Sequence, residues 1–322
     1  MPPKRPFPAQ LAHTLKTHNG PVNAITFSSS PGTYILSGGS DRAVHLSRAI
    51  PSTNSTTPPE TTAPIQKYEA HGYSVLDIAV AADNARFTSV GGDRQVFLWD
   101  VEQGITLRRW SGHLSRIEAV EFAGEGDSVV VSGSADTTIA LWDTRSNAYK
   151  PIQTLPEATD TVSSLSVHMA TSSIASGSYD GRLRVYDLRM GRTTVDALAH
   201  PVTSVRCSGD GNAVLTSTLD GRIRMLDRAD GKLLKAFPGA DGETTTPYTG
   251  LVSRGKKNGA YRYCNRELRV RSVFAQGDAV VLSGSESEVA KDGQQQQGSG
   301  AAVFAWDVLS GETVGCIPAG EG

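Results

Sequence analysis

Short runs of alternating apolar and polar residues recur along the chain and predict β-strands rather than helices. The clearest group contains Ile117–Phe122, Ser128–Gly133 and Thr138–Asp143, which are rich in β-branched residues and separated by turns of Gly, Asp and Ser. A weaker fourth segment follows such groups, as in Ile105–Trp110 and Lys232–Phe237. No segment combines a convincing helical period with capping residues, so the pattern predicts an all-β protein.

The strand groups belong to an internal repeat. Five stretches of equal length align, each with an aspartate near its middle: Ser37–Ser47, Ser89–Trp99, Ser132–Trp142, Ser176–Tyr186 and Thr216–Leu226. A sixth copy is split by an insertion between Ser283–Ser287 and Val303–Asp307. The aligned aspartates of the five unsplit copies are 52, 43, 44 and 40 residues apart. A spacing near ~40–45 residues with Trp-Asp endings is typical of the WD40 repeat, which forms a four-stranded blade of a β-propeller.

The chain thus resembles the WD40 family over nearly its whole length. That family joins a His, a Ser or Thr, an Asp and a Trp of one blade through hydrogen bonds. Two blades hold the full tetrad: His71, Ser89, Asp93 and Trp99 in the second, and His113, Ser132, Asp136 and Trp142 in the third. We expect the Asp to accept from the His and from a turn, and the Ser to join the His to the indole N–H. Each buried polar atom then has a partner.

The other four blades keep only part of the tetrad, and we expect their edges to be looser. The first has His18, Ser37 and Asp41 with Ser47 at the Trp position, and the fourth has Ser176, Asp180 and Tyr186 with no His. The fifth has His200, Thr216 and Asp220 with Leu226 at the Trp position, and the sixth has Ser283 and Trp306 with Ser287 at the Asp position.

The resemblance implies a seven-bladed propeller, of which six repeats are readable. We expect Leu11–Thr17 to be the outer strand of a last blade whose three inner strands should follow Gly311–Gly320. Because the sequence stops at Gly322, we expect that blade to be incomplete, with closure by six blades as the alternative. The predicted organisation is a flexible segment at residues 1–10 and a single propeller at residues 11–320.

Three insertions interrupt the repeats. Residues 49–64, rich in Ser, Thr and Pro, follow a third strand and are expected to form a disordered loop on the bottom face. Residues 238–265 and 288–300 are expected on the top face. Basic residues interleaved with tyrosines form a candidate contact to RNA or to an acidic partner: Arg254, Lys256, Lys257, Tyr261, Arg262, Tyr263 and Arg266. The alternative is an ordinary solvated loop.

Composition and motifs narrow the function further. The formal net charge is −2, and the three cysteines, Cys207, Cys264 and Cys316, are too far apart for a disulfide framework or a metal site. We expect reduced thiols in an intracellular protein. No apolar leader and no run of roughly 18–20 apolar residues is present. Because catalytic motifs and phosphate loops are also missing, we expect no enzyme, cofactor, metal, membrane association or small-molecule substrate.

Two stretches resemble one WD-repeat family more closely. His71–Val101 and Ser178–Arg192 are similar to the mitogen-activated protein kinase organizer family, whose members are also found in spliceosomes. The resemblance implies a non-catalytic scaffold, either in pre-mRNA splicing or in a kinase cascade. We favour splicing: a nuclear protein among spliceosomal proteins, with the cytoplasm as a second location. The W/Y-D-x-R boxes Trp142–Arg145 and Tyr186–Arg189 leave a third alternative, a substrate receptor of a cullin-type ubiquitin ligase.

Partner binding is expected on the top face of the propeller. In this fold the residues just after each repeat histidine, or in the matching loop, and just before each tetrad aspartate project there: Tyr73, Ser74, Arg116, Glu118, Thr161, Tyr179 and Leu219. Exposed Tyr and Arg are typical residues of binding hot spots, so Arg116 and Tyr179 are the first choices. The alternative is that these are ordinary exposed side chains.

Overall fold

The computed structural model describes residues 14–49, 63–237, 263–286 and 301–318. These ranges consist of strands and turns with one short 3-10 turn at Glu125–Asp127, which confirms the predicted all-β class. They contain no helix whose length and apolar character would let it cross a bilayer. The N-terminal residues 1–10, predicted to be flexible, and nearly all of the three predicted insertions lie outside the described residues.

The described residues form six sheets of four strands, and within each sheet the strands are neighbours in chain order. The first three sheets contain β1 (Val22–Phe27), β2 (Tyr34–Gly39), β3 (Ala43–Arg48) and β4 (Gln66–Glu69); β5 (Val75–Val80), β6 (Arg86–Gly91), β7 (Gln95–Asp100) and β8 (Thr106–Ser111); and β9 (Ile117–Ala123), β10 (Val129–Ser134), β11 (Ile139–Asp143) and β12 (Gln153–Leu155). The last three contain β13 (Val162–His168), β14 (Ser173–Ser178), β15 (Arg182–Asp187) and β16 (Arg192–Ala197); β17 (Val202–Cys207), β18 (Ala213–Thr218), β19 (Arg222–Asp227) and β20 (Leu233–Phe237); and β21 (Ser272–Ala275), β22 (Val280–Ser285), β23 (Ala302–Asp307) and β24 (Thr313–Pro318).

These six sheets are the blades of a WD40-type propeller fold, one for each readable repeat. The seventh, incomplete blade that we expected has no strand among the described residues. The sixth blade has its own outer strand, because Cys316 of β24 pairs with Phe304 of β23. Thr14–Thr17, the described part of the expected seventh outer strand, has no regular secondary structure, and Leu11–His13 lie outside the described residues.

The chain divides into two compact units, one over Leu11–Ser172 and the other from Ser173 onward. Each unit has apolar cores between neighbouring blades. In the first unit, Leu36 and Tyr68 of the first blade pack with Trp99 of the second. In the second unit, Phe237 of the fifth blade packs with Trp306 of the sixth. Pairs of blades therefore bury the face that one sheet alone would leave in water.

Polar side chains of the first strands also join neighbouring blades. Asp77 on β5 is buried, and its Oδ2 accepts a hydrogen bond from Val120 N of β9 at 3.0 Å. In the other unit, Ser204 Oγ of β17 accepts from Ser272 N of β21 at 3.1 Å. Because these groups are buried, an unpaired backbone N–H would destabilise the fold, and these bonds avoid that loss of stability.

A glycine after the repeat serine sets the spacing between several blades. A Cβ added to Gly133 of β10 would lie 2.6 Å from Val162 Cγ1 of β13, and one added to Gly177 of β14 would lie 2.5 Å from Val202 Cγ1 of β17. Valine is branched at Cβ and has few alternative rotamers, so it cannot easily move away. The Ser-Gly pair of the repeat thus combines a buried hydroxyl with room for the next blade.

We predict that Gly133→Ala destabilises the protein by about 1–3 kcal/mol, because the new methyl group overpacks the contact with Val162. Gly72→Ala is the matched control, since a Cβ there meets no atom within 4 Å. Chemical denaturation should show the loss for the first variant only. Adding Val162→Ala to Gly133→Ala should restore part of it. Equal stability of the two single variants would contradict this account of blade spacing.

Candidate interaction surface

The second blade contains a continuous chain of hydrogen bonds from its core to its edge. Trp99 Nε1 donates to Ser89 Oγ at 2.8 Å, and Ser89 Oγ lies 2.7 Å from His71 Nε2. His71 Nδ1 lies 2.7 Å from Asp93 Oδ2. A neutral imidazole that accepts from Ser89 and donates to Asp93 satisfies every group in this chain. The four side chains are thus used in holding the blade together.

The third blade repeats this geometry. Trp142 Nε1 donates to Ser132 Oγ at 2.8 Å, His113 Nε2 lies 2.8 Å from Ser132 Oγ, and His113 Nδ1 lies 2.9 Å from Asp136 Oδ2. Burial acts to raise the pKa of Asp136, but hydrogen bonds from His113, Thr138 and the Leu114 amide outweigh it. The Asp136 pKa therefore lies well below its ordinary value, and the carboxylate stays ionised.

Each tetrad aspartate also fixes the loop that follows the tetrad histidine. Gly72 N donates to Asp93 Oδ2 at 3.3 Å, and Leu114 N donates to Asp136 Oδ2 at 2.7 Å. We call these two loops, residues 72–74 and 114–116, the rim. Because one carboxylate holds both the turn and the histidine, the rim is anchored to the buried core of its blade.

The first blade has a tetrad without the tryptophan. His18 Nε2 lies 2.8 Å from Ser37 Oγ, and His18 Nδ1 lies 3.0 Å from Asp41 Oδ2. His45 stacks on His18 with ring centroids 4.1 Å apart, and both His45 nitrogens lack a described hydrogen-bond partner. Burial and the neighbouring His18 lower the pKa of His45. His18, Asp41 and His45 could together offer metal ligands, but both nitrogens of His18 are already engaged and the stacked rings do not converge.

An arginine replaces the histidine in the fourth and fifth blades. Arg184 Nη2 lies 2.7 Å from Asp180 Oδ2 in the fourth, and Arg224 Nη2 lies 2.5 Å from Asp220 Oδ2 in the fifth. His200, which we expected in the fifth tetrad, is instead exposed. The longer guanidinium reaches the aspartate from the third strand and occupies its oxygens. The shared motif Asp-Gly-Arg-x-Arg is the sequence signal that could have identified this exchange.

The sixth blade uses a tyrosine and a glutamate instead. Tyr263, which we expected to contact RNA or an acidic partner, is buried with its hydroxyl 3.3 Å from Ser283 Oγ and its ring edge-on to Trp306. It lies 20 residues before the repeat serine, close to the 18 and 19 residues that separate His71 and His113 from theirs, and its hydroxyl takes the place of the histidine beside that serine. Glu286, which precedes the expected Ser287, has an oxygen that accepts from the backbone N–H groups of three consecutive residues, Arg266 to Leu268.

The predicted partner-binding residues differ in exposure. Tyr73 is 66% exposed, Ser74 and Tyr179 are half-buried, and Arg116 is exposed. Glu118, which we expected on the surface, is only 8% exposed, because it lies within β9 rather than in the loop before it. Its carboxylate forms an ion pair with Arg116 at 2.6 Å.

Two further positions that were predicted to project from the top face are not exposed, and the prediction omitted one residue that is exposed. Thr161 is buried and Leu219 is half-buried. Leu114, the residue after His113, is 82% exposed although it is a large apolar side chain. Because it directly follows the tetrad histidine, its sequence position could have predicted that it projects from the top face. The rim therefore presents Tyr73 and Leu114 to solvent.

Only Arg266 of the predicted basic contact is both described and exposed. The remaining members lie outside the described residues: Arg254, Lys256, Lys257, Tyr261 and Arg262.

In the W/Y-D-x-R boxes, Asp143 accepts from Arg145 N at 2.8 Å and Asp187 accepts from Arg189 N at 2.9 Å, while both arginines are exposed. The aspartates of these boxes thus stabilise turns.

Family models match two parts of the chain. Residues 74–253 match the family described as Nucleolar protein 10-like, N-terminal domain, a β-propeller family. Residues 9–46 match the family described as WD domain, G-beta repeat. The first match covers more than half of the sequence.

Curated relatives match nearly the whole chain. The chain is 35% identical to WD repeat domain-containing protein 83 of Homo sapiens, over 100% of this chain and 87% of the relative. It is 36% identical to an uncharacterized WD repeat-containing protein of Schizosaccharomyces pombe, over 91% of this chain and 82% of the relative. A shorter match, 33% identical over 41% of this chain and 13% of the relative, is to DDB1- and CUL4-associated factor 5 of Homo sapiens.

We predict that Ser89→Ala lowers the free energy of unfolding by at least about 2 kcal/mol, because the buried Trp99 indole and His71 imidazole each lose a partner. The adjacent Thr88 is the matched control: it is fully buried, but its hydroxyl has no described partner. Thr88→Val should therefore change stability by less than about 1 kcal/mol. Urea denaturation followed by tryptophan fluorescence measures both. A loss for Thr88→Val as large as that for Ser89→Ala would show that the tetrad bonds are not the cause.

The lowered pKa of Asp136 predicts a pH-dependent contribution to stability. Because its pKa in the folded protein lies below the ordinary value of 3.8, the carboxylate stabilises the fold above that pH, and the contribution is lost as the pH falls below it. Asp136→Asn should be less stable than the parent at pH 7, and the difference should shrink near pH 3. Exposed Asp83→Asn controls for the loss of one carboxylate. A difference that stays constant between pH 7 and pH 3 would refute the role of this ionised group.

Proposed function

The chain belongs to the WD-repeat β-propeller family, within the group of WD repeat domain-containing protein 83, and from this premise we propose that it is a scaffold of the pre-mRNA splicing machinery. WD40 propellers mediate protein–protein interactions and are generally non-catalytic. In this proposal the protein is nuclear, has no enzymatic activity, and binds spliceosomal proteins within a large complex.

The rim is the observation that carries the scaffold role. Its loops are held by the tetrad aspartates, and they present two apolar side chains to water, Tyr73 at 66% and Leu114 at 82% exposure. Large apolar groups fixed on the surface cost solvation free energy in the free protein and favour burial against a partner. Arg116 adds a guanidinium that is already oriented by Glu118.

The choice of splicing is supported by the close resemblance of His71–Val101 and Ser178–Arg192 to the organizer family, whose members are found in spliceosomes. The match to a family named for a nucleolar protein supports a nuclear setting. The basic residues around Arg266 fit the same setting, because they would favour an acidic or RNA-bearing neighbour.

A ubiquitin-ligase receptor is the third candidate. The exposed Arg145 and Arg189 in the two W/Y-D-x-R boxes and the partial similarity to a factor named for DDB1 and CUL4 favour it. The second candidate, assembly of a kinase cascade, comes from the organizer resemblance alone. We rank splicing above it because the basic residues around Arg266 fit an RNA-rich assembly, whereas a kinase scaffold would not need them.

Affinity purification of the tagged full chain from nuclear extract, followed by mass spectrometry, tests the proposal. We expect spliceosomal proteins and small nuclear RNA in the purified complexes. Recovery of the cullin adaptor without spliceosomal proteins would favour the ligase receptor. Recovery of kinases from the cytosolic fraction, with no spliceosomal protein from nuclei, would favour the kinase scaffold. Either result would refute the splicing role.

We predict that Tyr73→Ala combined with Leu114→Ala reduces recovery of the principal partner at least tenfold, because the variant removes the exposed apolar surface of the rim. Tyr149→Ala is the control, since Tyr149 is 79% exposed but lies in the segment before the outer strand β12. Quantitative mass spectrometry of the purified complexes measures recovery, and thermal unfolding verifies that each variant is folded. Equal recovery with the rim variant and the control would exclude the rim as the main contact.

A further inference from the structure

A cavity of about 650 Å³ opens in the unit that begins at Ser173. Three segments line it. They are the connection between β16 and β17, the turn between β18 and β19 with the first residues of β19, and the segment before β21. The lining residues are Leu198, Ala199, His200, Leu219, Asp220, Arg222, Arg224 and Arg266. It therefore lies near the tetrad aspartate of the fifth blade, where the exposed His200 and Arg266 were left unexplained by the fold.

The charge of this cavity is positive. Its one lining carboxylate, Asp220, is paired with Arg224 at 2.5 Å. Burial acts to raise the pKa of Asp220, but hydrogen bonds from Arg224 and Thr218 keep that pKa below its ordinary value, so the pair is neutral overall. Arg222 and Arg266 are exposed and form no ion pair with a described residue. Among the described residues that line the cavity, these two guanidinium groups thus have no paired carboxylate.

The backbone around these groups is well fixed. Leu198 N donates to Gly181 O at 2.7 Å and Leu219 N donates to Pro201 O at 3.0 Å, which holds the two walls. Arg266 N donates to Glu286 Oε1 at 3.0 Å, so the third segment is anchored by the carboxylate that replaces the tetrad aspartate of the sixth blade. A site whose walls are already ordered loses less conformational entropy when it binds a ligand.

We propose that this cavity binds an acidic side chain of a partner peptide, with Arg222 and Arg266 pairing to its anionic oxygens and His200 as a further donor. Guanidinium groups form bidentate pairs with carboxylate and phosphate oxygens, so a glutamate and a phosphoserine share the required chemistry. Leu198 and Leu219 supply an apolar edge for the peptide beside the anion. The proposal rests on the protein-binding role proposed above and gives it a second, separate contact.

A peptide fits the cavity better than RNA does. Single-stranded RNA is held by aromatic side chains on which bases stack, together with a groove of positive charge along the phosphates. The residues that line this cavity include no Phe, Tyr or Trp, and Tyr263, three residues before Arg266, is buried in the sixth blade. The described surface therefore offers a point for one anion rather than a track for a polynucleotide.

Fluorescence anisotropy with the purified full chain tests the proposal. The probes are a labelled peptide with four glutamates, the same peptide with one glutamate replaced by phosphoserine, a glutamine version, and a single-stranded RNA of equal charge. We expect one or both anionic peptides to bind in a salt-sensitive manner and the glutamine version not to bind. The ratio of the two anionic affinities identifies the source of the anion.

The decisive variant is Arg222→Gln with Arg266→Gln, which should weaken binding of the anionic peptide at least tenfold. Arg189→Gln with Arg192→Gln removes the same charge from exposed positions at the β15–β16 turn and should leave the affinity within about twofold, an allowance for the nonlocal field of two charges. Arg222→Lys with Arg266→Lys should restore part of the binding. Because all four arginines are exposed, thermal unfolding should show that the variants remain folded.

The proposal is overturned if neither anionic peptide binds, if the two glutamine variants weaken binding equally, or if only RNA binds and depends on Arg222 and Arg266. The result is independent of the splicing assignment, since it uses purified protein and defined peptides. A chain that binds the acidic peptide but recovers no spliceosomal protein would refute the splicing role and leave the cavity assignment intact.

Discussion

The hydroxyl of the repeat serine is the group on which the geometry of a complete blade depends. Ser89 Oγ is buried in the second strand of its blade and links the Trp99 indole of the third strand to His71 in the preceding loop. From His71 the chain continues to Asp93 and the turn amides. One buried hydroxyl therefore joins two strands, a loop and a turn, and none of its partners can be left unpaired without a large loss of stability.

The fourth, fifth and sixth blades show that other residues can supply the hydrogen bonds of the tetrad. The aspartate of the fourth blade is neutralised by Arg184, and that of the fifth by Arg224. In the sixth, Tyr263 reaches the repeat serine and Glu286 accepts from the backbone. Each substitute meets the same requirement for buried polar groups by a different chemical route. The aspartates of the fourth and fifth blades are therefore paired although these blades lack the full tetrad, and the looser edges expected of the incomplete blades stay a prediction.

The repeat spacing was enough to predict the strands and the six readable repeats, because each depends on position in a regular pattern, and the family resemblance supplied the contacts of the two complete tetrads. Spacing could not show which of two competing side chains fills a site. Arg224 occupies the place expected for His200, and a tyrosine among basic residues, Tyr263, lies in the core. Sequence spacing also could not show which residues near the beginning of a strand are exposed. Arg116 lies just before β9 and is exposed, whereas Glu118 lies inside β9 and is buried.

The proposed function follows from the different roles of the tetrad residues and the exposed rim residues. The His and Asp side chains of the complete tetrads are engaged in structural hydrogen bonds, while the loops that they hold present Tyr73 and Leu114 to solvent. Hydrogen–deuterium exchange mass spectrometry of the free chain and of the chain in its purified native complex tests this claim most directly. The account predicts that complex formation slows exchange in the rim loops, residues 72–74 and 114–116, and leaves the outer strands β8 and β12 unchanged. Slower exchange confined to the outer strands, with the rim unaffected, would contradict it.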